Sequence, residues 1–225
     1  MDIERSFIPG DNFRIPAILI RPAHPVGAAV IMHGYGGNKE EQLGLGWRVA
    51  EAGLASCVID LRGHGEHPLP LDPLAGDDTE AAIRFCRGFG KVTAIGHSLG
   101  GRLALLSTAD HRIAISPSLS RTYGERTQEM LRTLRSYRVR PSDLATLFAV
   151  QECLPVWKPG LDTGSTTILY AGRDAPEIVA ECTAMKTAGV RTVPVPGALH
   201  SDIFTHEQTF SIVQDQIRTW YGRED

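Results

Sequence analysis

The sequence predicts an α/β protein with a mostly parallel sheet and helices packed on both faces. Two observations carry this expectation. Short, continuous apolar runs recur along the chain, among them "GAAVIMHG", "LASCVIDLRG" and "KVTAIGHS", the pattern of strands covered on both sides. Between them lie stretches with helix start and stop signals, and such alternation sets the strands parallel. Ligands of these sheets sit beyond the carboxyl ends of the strands. The residues just after each strand are therefore the ones to read for function.

The elements follow in order. "FRIPAILIRP" is an extended segment closed by proline. "GAAVIMHG" is a buried strand ending in glycine. "NKEEQLGLGWRVAEAG" reads as a helix capped by Asn38, acidic in its first turn and stopped at Gly53, although Gly44 and Gly46 weaken the pattern. "LASCVIDLRG" is the next buried strand, and "DDTEAAIRFCRGFG" a helix whose early acids suit its dipole. "KVTAIGHS", "LGGRLALLSTAD" and "HRIAISPS" continue the alternation. "TTILYAG", "APEIVAECTAMKTAG", "VRTVPVPG" and "THEQTFSIVQDQIRTWYG" complete it. Residues 119–164 interrupt the pattern, being helical with a break at Pro141 and long for a crossover. They read either as a small helical cap over one end of the sheet or as an elaborated packing helix. The whole chain, 1–225, is expected to form one domain around this sheet.

Composition narrows the function classes. A chain of 225 residues can bury a core without disulfides or metals. A net charge of -3 gives no footprint for nucleic acid, and no basic block suggests an anionic membrane. Cys57, Cys86, Cys153 and Cys182 fit neither a zinc spacing nor a disulfide framework, so Cys57 and Cys86 are expected as buried free thiols. The start "MDIERSF" is charged with no apolar run behind it, and no stretch is long enough to span a bilayer. A cytoplasmic setting is the default expectation.

The sharpest motif is "GHSLGG". Ser98 lies where an apolar strand meets a helix, with Gly96 and Gly100 two residues away on either side. A strained strand-to-helix elbow would need those glycines for clearance and would hold the hydroxyl exposed; a plain turn needing small residues is the alternative. A serine nucleophile requires a base oriented by a carboxylate. His200 follows the last predicted strand and is the candidate base, whereas His97 shares the serine's elbow and should point elsewhere. Asp174 follows "TTILYAGR" and is the candidate acid, with Glu177 and Asp202 as rivals; Asp202 better suits local capping or an ion pair. The amides of Leu99 and Tyr35, the latter in the glycine-rich "HGYGGNK" loop, are the candidate oxyanion donors.

Other readings of these loops are weaker. "HGYGGNK" lacks the phosphate-loop spacing, and no dinucleotide fingerprint occurs. Asp60, His64, Glu66 and His67 form a loose cluster, but their spacing specifies no tetrahedral metal set. Asp60 and Arg62 are expected instead to fasten their loop, and neither metal nor cofactor is expected. Arg121, Arg126, Arg132, Arg135, Arg138 and Arg140 make one stretch of the interruption basic. That is either a solvated helix face or a preference for acidic or phosphorylated acyl substrates.

With "HGYGG", "DLRGHG", "GHSLGG", "YAGRD" and "GALH" in this order over nearly the whole chain, the sequence resembles the α/β-hydrolase superfamily. It is similar to the small carboxylesterase, acyl-peptidase and dienelactone-hydrolase-like branches. The resemblance implies a twisted, mostly parallel sheet with a small helical insert. It also implies Ser98, Asp174 and His200 as nucleophile, acid and base, with Tyr35 and Leu99 as oxyanion amides. The expected activity is ester cleavage of a small-molecule acyl substrate. Thioester, amide or carbon–carbon bond hydrolysis, or a non-catalytic ligand cup, are the alternatives. After the acid, family members often continue with a valine-proline pair; here "DAPEIV" follows, and Pro176 also suits a helix start.

Overall fold

The computed structural model describes residues 1–11, 13–160 and 163–222. Three strands are buried along their full length: β3 (Ala28–Met32), β4 (Ala55–Ile59) and β5 (Val92–His97). They form the middle of an eight-stranded sheet with β1 (Asp2–Pro9), β2 (Arg14–Arg21), β6 (His111–Ile115), β7 (Thr166–Arg173) and β8 (Arg191–Leu199). The order across the sheet is β1-β2-β4-β3-β5-β6-β7-β8. From β4 to β8 every neighbour is parallel, while β1 and β2 add an antiparallel edge. The period of two along β3 explains both layers. Ala29 and Ile31 face α1 (Leu43–Glu51) and α7 (Glu207–Tyr221). Val30 and Met32 face α2 (Ala75–Cys86) and α3 (Leu99–Leu106), and α6 (Pro176–Thr187) covers the same side farther along. Cys57 and Cys86 are free thiols buried in that layer.

Two local expectations are corrected. The sequence marks no strand before Phe13, yet β1 pairs with β2 over its full length. Its only fully buried side chain is Ile8, while Ile3 and Phe7 stay exposed, so an edge strand leaves little hydrophobic signal. The helix expected from Asn38 begins at Leu43. Asn38 Oδ1 instead accepts from the Glu41 amide at 3.0 Å, inside the 3-10 turn Glu40–Gln42 that precedes the helix. Gly46, which counts against that helix locally, has a packing reason. A Cβ there would lie 2.8 Å from Val58 Cγ2 and 3.2 Å from Ile20 Cδ1, so α1 approaches the sheet too closely for a larger residue.

Between β6 and β7 the chain forms α4 (Glu125–Leu134) and α5 (Leu144–Cys153), one on each side of Pro141. Of the segment 119–164, Leu161 and Asp162 lie outside the described residues. α5 buries Leu144, Leu147 and Val150 in the core beside α3, whereas α4 buries no residue fully. Strand order reverses at β3, which adjoins β4 on one side and β5 on the other. The crevice at their carboxyl ends is where such sheets bind ligands.

Candidate active site

Ser98 stands between β5 and α3 with φ 53° and ψ -112°, a left-handed conformation costly for any side chain. Backbone hydrogen bonds hold it there. Its N–H donates to Ile115 O at 2.9 Å, and its carbonyl accepts from Arg102 N at 3.0 Å and Ser118 N at 3.1 Å. The flanking glycines permit the approach of strand and helix. A Cβ on Gly96 would lie 2.1 Å from Gly100 O, and one on Gly100 would lie 2.6 Å from His33 O. Their smallness serves backbone-to-backbone contact, which leaves the half-buried Ser98 hydroxyl facing the cavity.

Asp174 and His200 each follow a strand, β7 and β8 respectively, and the structure brings both to Ser98. His200 Nδ1 lies 2.9 Å from Asp174 Oδ1, and His200 Nε2 lies 3.1 Å from Ser98 Oγ. A carboxylate only accepts, so Nδ1 carries the proton and Nε2 is left to accept from the serine hydroxyl. The Asp174 side chain is fully buried and also accepts from the Ala175 amide at 2.8 Å. The rival acids lie elsewhere. Glu177 Oε1 accepts from Gly124 N, and Asp202 Oδ1 accepts from Leu199 N and lies 3.2 Å from His206 Nε2.

His97 turns away from the hydroxyl. Its Nε2–H donates to the His200 carbonyl at 2.8 Å, and its ring lies 4.8 Å from that of His200. Burial, reinforced by the neighbouring His200, holds it well below the ordinary imidazole range, so it is neutral. It anchors the backbone of the histidine that faces Ser98. No local signal announces this contact, because it joins residues 103 positions apart.

The loop after β3 closes the other side. Gly34 packs so tightly that a Cβ would be 2.9 Å from His97 Nδ1 and 3.0 Å from Ser98 Cβ. His33 braces this loop, donating from Nδ1 to Gly34 O at 2.8 Å and accepting at Nε2 from Leu61 N at 3.1 Å. Burial lowers its pKa to about 4, which keeps it neutral. Leu99 is the first residue of α3, so its amide has no carbonyl within the helix to bond. Tyr35 and Leu99 both line the cavity that holds Ser98.

Asp60, His64, Glu66 and His67 do not share a metal-binding geometry. Lys39 Nζ, itself 1% exposed, donates to Asp60 Oδ2 and Glu66 Oε2, both at 2.7 Å. Burial alone would lower the Lys39 pKa, but those hydrogen bonds outweigh it and raise it. His64 Nδ1 lies on Arg62 O, and His67 Nε2 faces Asp78 Oδ1 at 3.6 Å. Arg62 in turn clamps Asp78 and Asp72. Among the described residues no group of three or more His, Cys, Asp or Glu side chains could hold a metal ion.

The cavity over Ser98 has a volume of about 670 Å³. Tyr123, Met130, Leu131, Leu134, Leu147 and Ile178 give it apolar walls, drawn mostly from the segment between β6 and β7. A smaller cavity of about 360 Å³, lined by Leu105, Trp157 and Val190, holds none of the three converging side chains.

The sequence profile described as "Alpha/beta hydrolase family" matches residues 29–223. The chain belongs to the α/β-hydrolase family. No curated protein sequence matches it significantly. Solved structures share its fold at low identity. An esterase from Pyrobaculum calidifontis superposes with a TM-score of 0.70 at 21% identity, covering 98% of this chain and 86% of that one. E-2-(acetamidomethylene)succinate hydrolase gives 0.71 at 16% identity, covering 96% and 99%. The thioesterase domain from the curacin biosynthetic pathway gives 0.63 at 15%, with the same coverage. In this α/β-hydrolase no described helix is long and apolar enough to cross a membrane.

Proposed function

We propose that the protein hydrolyses carboxylic esters through an acyl-enzyme on Ser98, with His200 as base and Asp174 as the acid that orients it. The supporting observation is His200 bridging the Asp174 carboxylate and the Ser98 hydroxyl at 2.9 and 3.1 Å. In the cycle, His200 Nε2 takes the serine proton as Oγ attacks the ester carbonyl. The tetrahedral oxyanion accepts from the amides of Tyr35 and Leu99. The imidazolium, paired with Asp174, protonates the leaving alcohol, and the carbon–oxygen bond to it breaks. Water, deprotonated by the same nitrogen, then attacks the acyl carbon and releases acid and free serine.

On this reading residues 1–225 form one hydrolase domain, and the segment 119–164 is a helical insert that walls the acyl pocket. The pocket's apolar lining suits a small-molecule acyl chain. The free thiols fit a reducing compartment, and we place the protein in the cytoplasm. A panel of p-nitrophenyl esters, acyl-CoAs and aminoacyl amides tests the bond class. Esters should give the highest kcat/KM. A higher value for acyl-CoA would replace the ester reading with a thioesterase, and one for the amides with an amide hydrolase.

A further inference from the structure

The six arginines of the basic stretch do not behave as one surface. Arg132 pairs with Glu129, Arg138 with Glu41 at 2.8 Å, Arg140 bonds to His67 O, and Arg121 reaches Leu154 O at 3.5 Å. Arg126 and Arg135 differ on two counts. Both line the cavity over Ser98, and neither side chain makes a hydrogen bond or ion pair with another described residue. Arg173, at the end of β7 beside Asp174, lines the same cavity and is likewise without one. The two acids of the lining are already engaged, Asp174 by His200 and Glu41 by Arg138. The cavity therefore presents guanidinium groups from two different elements, none of them bound to a carboxylate among the described residues.

Arg135 is the best placed of the three. It is half-buried, and its backbone and Cβ press on Gly36 so closely that a Cβ there would meet them at 2.8 Å. Gly36 has φ 72° and lies two residues from Gly34, which packs on Ser98 Cβ. The Arg135 charge is near enough to His97 to contribute to its lowered pKa, behind burial and His200. A planar guanidinium matches an oxyanion with two parallel hydrogen bonds. In a cleft with low-dielectric walls, unneutralised cations also concentrate anionic ligands.

From this we infer that the cavity is built for an ester carrying a second, negatively charged group, a carboxylate or a phosphate, received by Arg135 with Arg126 and Arg173. The inference rests on the ester hydrolase reading above, and its test separates the two. Three p-nitrophenyl esters of matched shape serve as probes: the neutral 5-methylhexanoate, the glutarate half-ester and the 4-phosphonobutanoate. All rates are corrected for uncatalysed hydrolysis. In the wild type, at least one anionic ester should exceed the neutral one in kcat/KM by about tenfold, the scale of one charge-assisted hydrogen bond. Whichever anion is favoured identifies the group. The ratio should fall toward one in Arg135→Gln, recover in part in Arg135→Lys, and shrink with added salt. Arg126→Gln and Arg173→Gln, at exposed positions, provide the same test should Arg135→Gln fail to fold. Turnover of the neutral ester with a ratio of one or less would overturn the anionic subsite and leave the hydrolase reading intact. No turnover of any of the three would remove both.

Discussion

The proton between His200 and Asp174 sets the tautomer on which the proposed cycle depends. An asparagine at 174 could donate to Nδ1, which would put the imidazole proton on Nε2 and leave nothing to accept from Ser98. Asp174→Asn should therefore fold normally and lose turnover by about 10⁴-fold, measured with p-nitrophenyl acetate. Glu177→Gln should stay near the wild-type rate, because Glu177 bonds Gly124 N and not His200. The reverse pattern would assign the acid to Glu177. The convergence of Ser98, Asp174 and His200 was legible in sequence for a local reason: each directly follows an apolar strand run. His97 was legible only as a residue that should point elsewhere. Its bond to the His200 carbonyl needs two distant strands to be adjacent to a common crevice, which no local pattern encodes.

Between elements, the joints depend on buried polar groups more than on pattern. Arg102, on α3 and 1% exposed, donates to the carbonyls of Gln151 at 3.1 Å, Leu154 at 2.9 Å and Pro155 at 3.3 Å. These lie at the carboxyl end of α5, where the helix leaves carbonyls unpaired and negative. The helix that follows Ser98 is thereby tied to the segment that walls the cavity. Arg102→Met should cost about 2–4 kcal/mol of stability, because buried acceptors lose their donor, read as a lower urea midpoint. An unchanged midpoint would mean that water replaces the guanidinium. Central strands were legible as continuous apolar runs because helices cover both of their faces. β1 was not, since an edge strand that buries only Ile8 carries little of that signal. The start of α1 was misplaced because the Asn38 side chain holds the Glu41 amide of a 3-10 turn that stands before the helix. The sorting of six arginines into paired and cavity-lining groups also required the fold.

Across the whole molecule, buried neutral histidines couple stability to pH. Burial lowers His33 to about 4 and His64 to about 3, and holds His97 well below its ordinary value. In the unfolded chain each returns to about 6.5. Between these values the unfolded state binds more protons, so stability rises with pH. The contribution is complete above about 6.5 and is lost as pH falls toward 4, by about 3 kcal/mol for His33 alone. Urea midpoints should drop steadily from pH 7 to pH 5; a flat profile would mean that these histidines titrate normally in the fold. The same three rings pack around the loops that frame Ser98, so acid should loosen the site as it loosens the fold. On the proposed cycle this frame makes Ser98 a nucleophile. A fluorophosphonate probe at pH 7.5, followed by mass spectrometry of the labelled peptide, tests it most directly. One adduct should form, on Ser98, abolished in a folded Ser98→Ala variant and slowed in Asp174→Asn. An intact, folded protein that takes no label, or takes it at another residue, would contradict it.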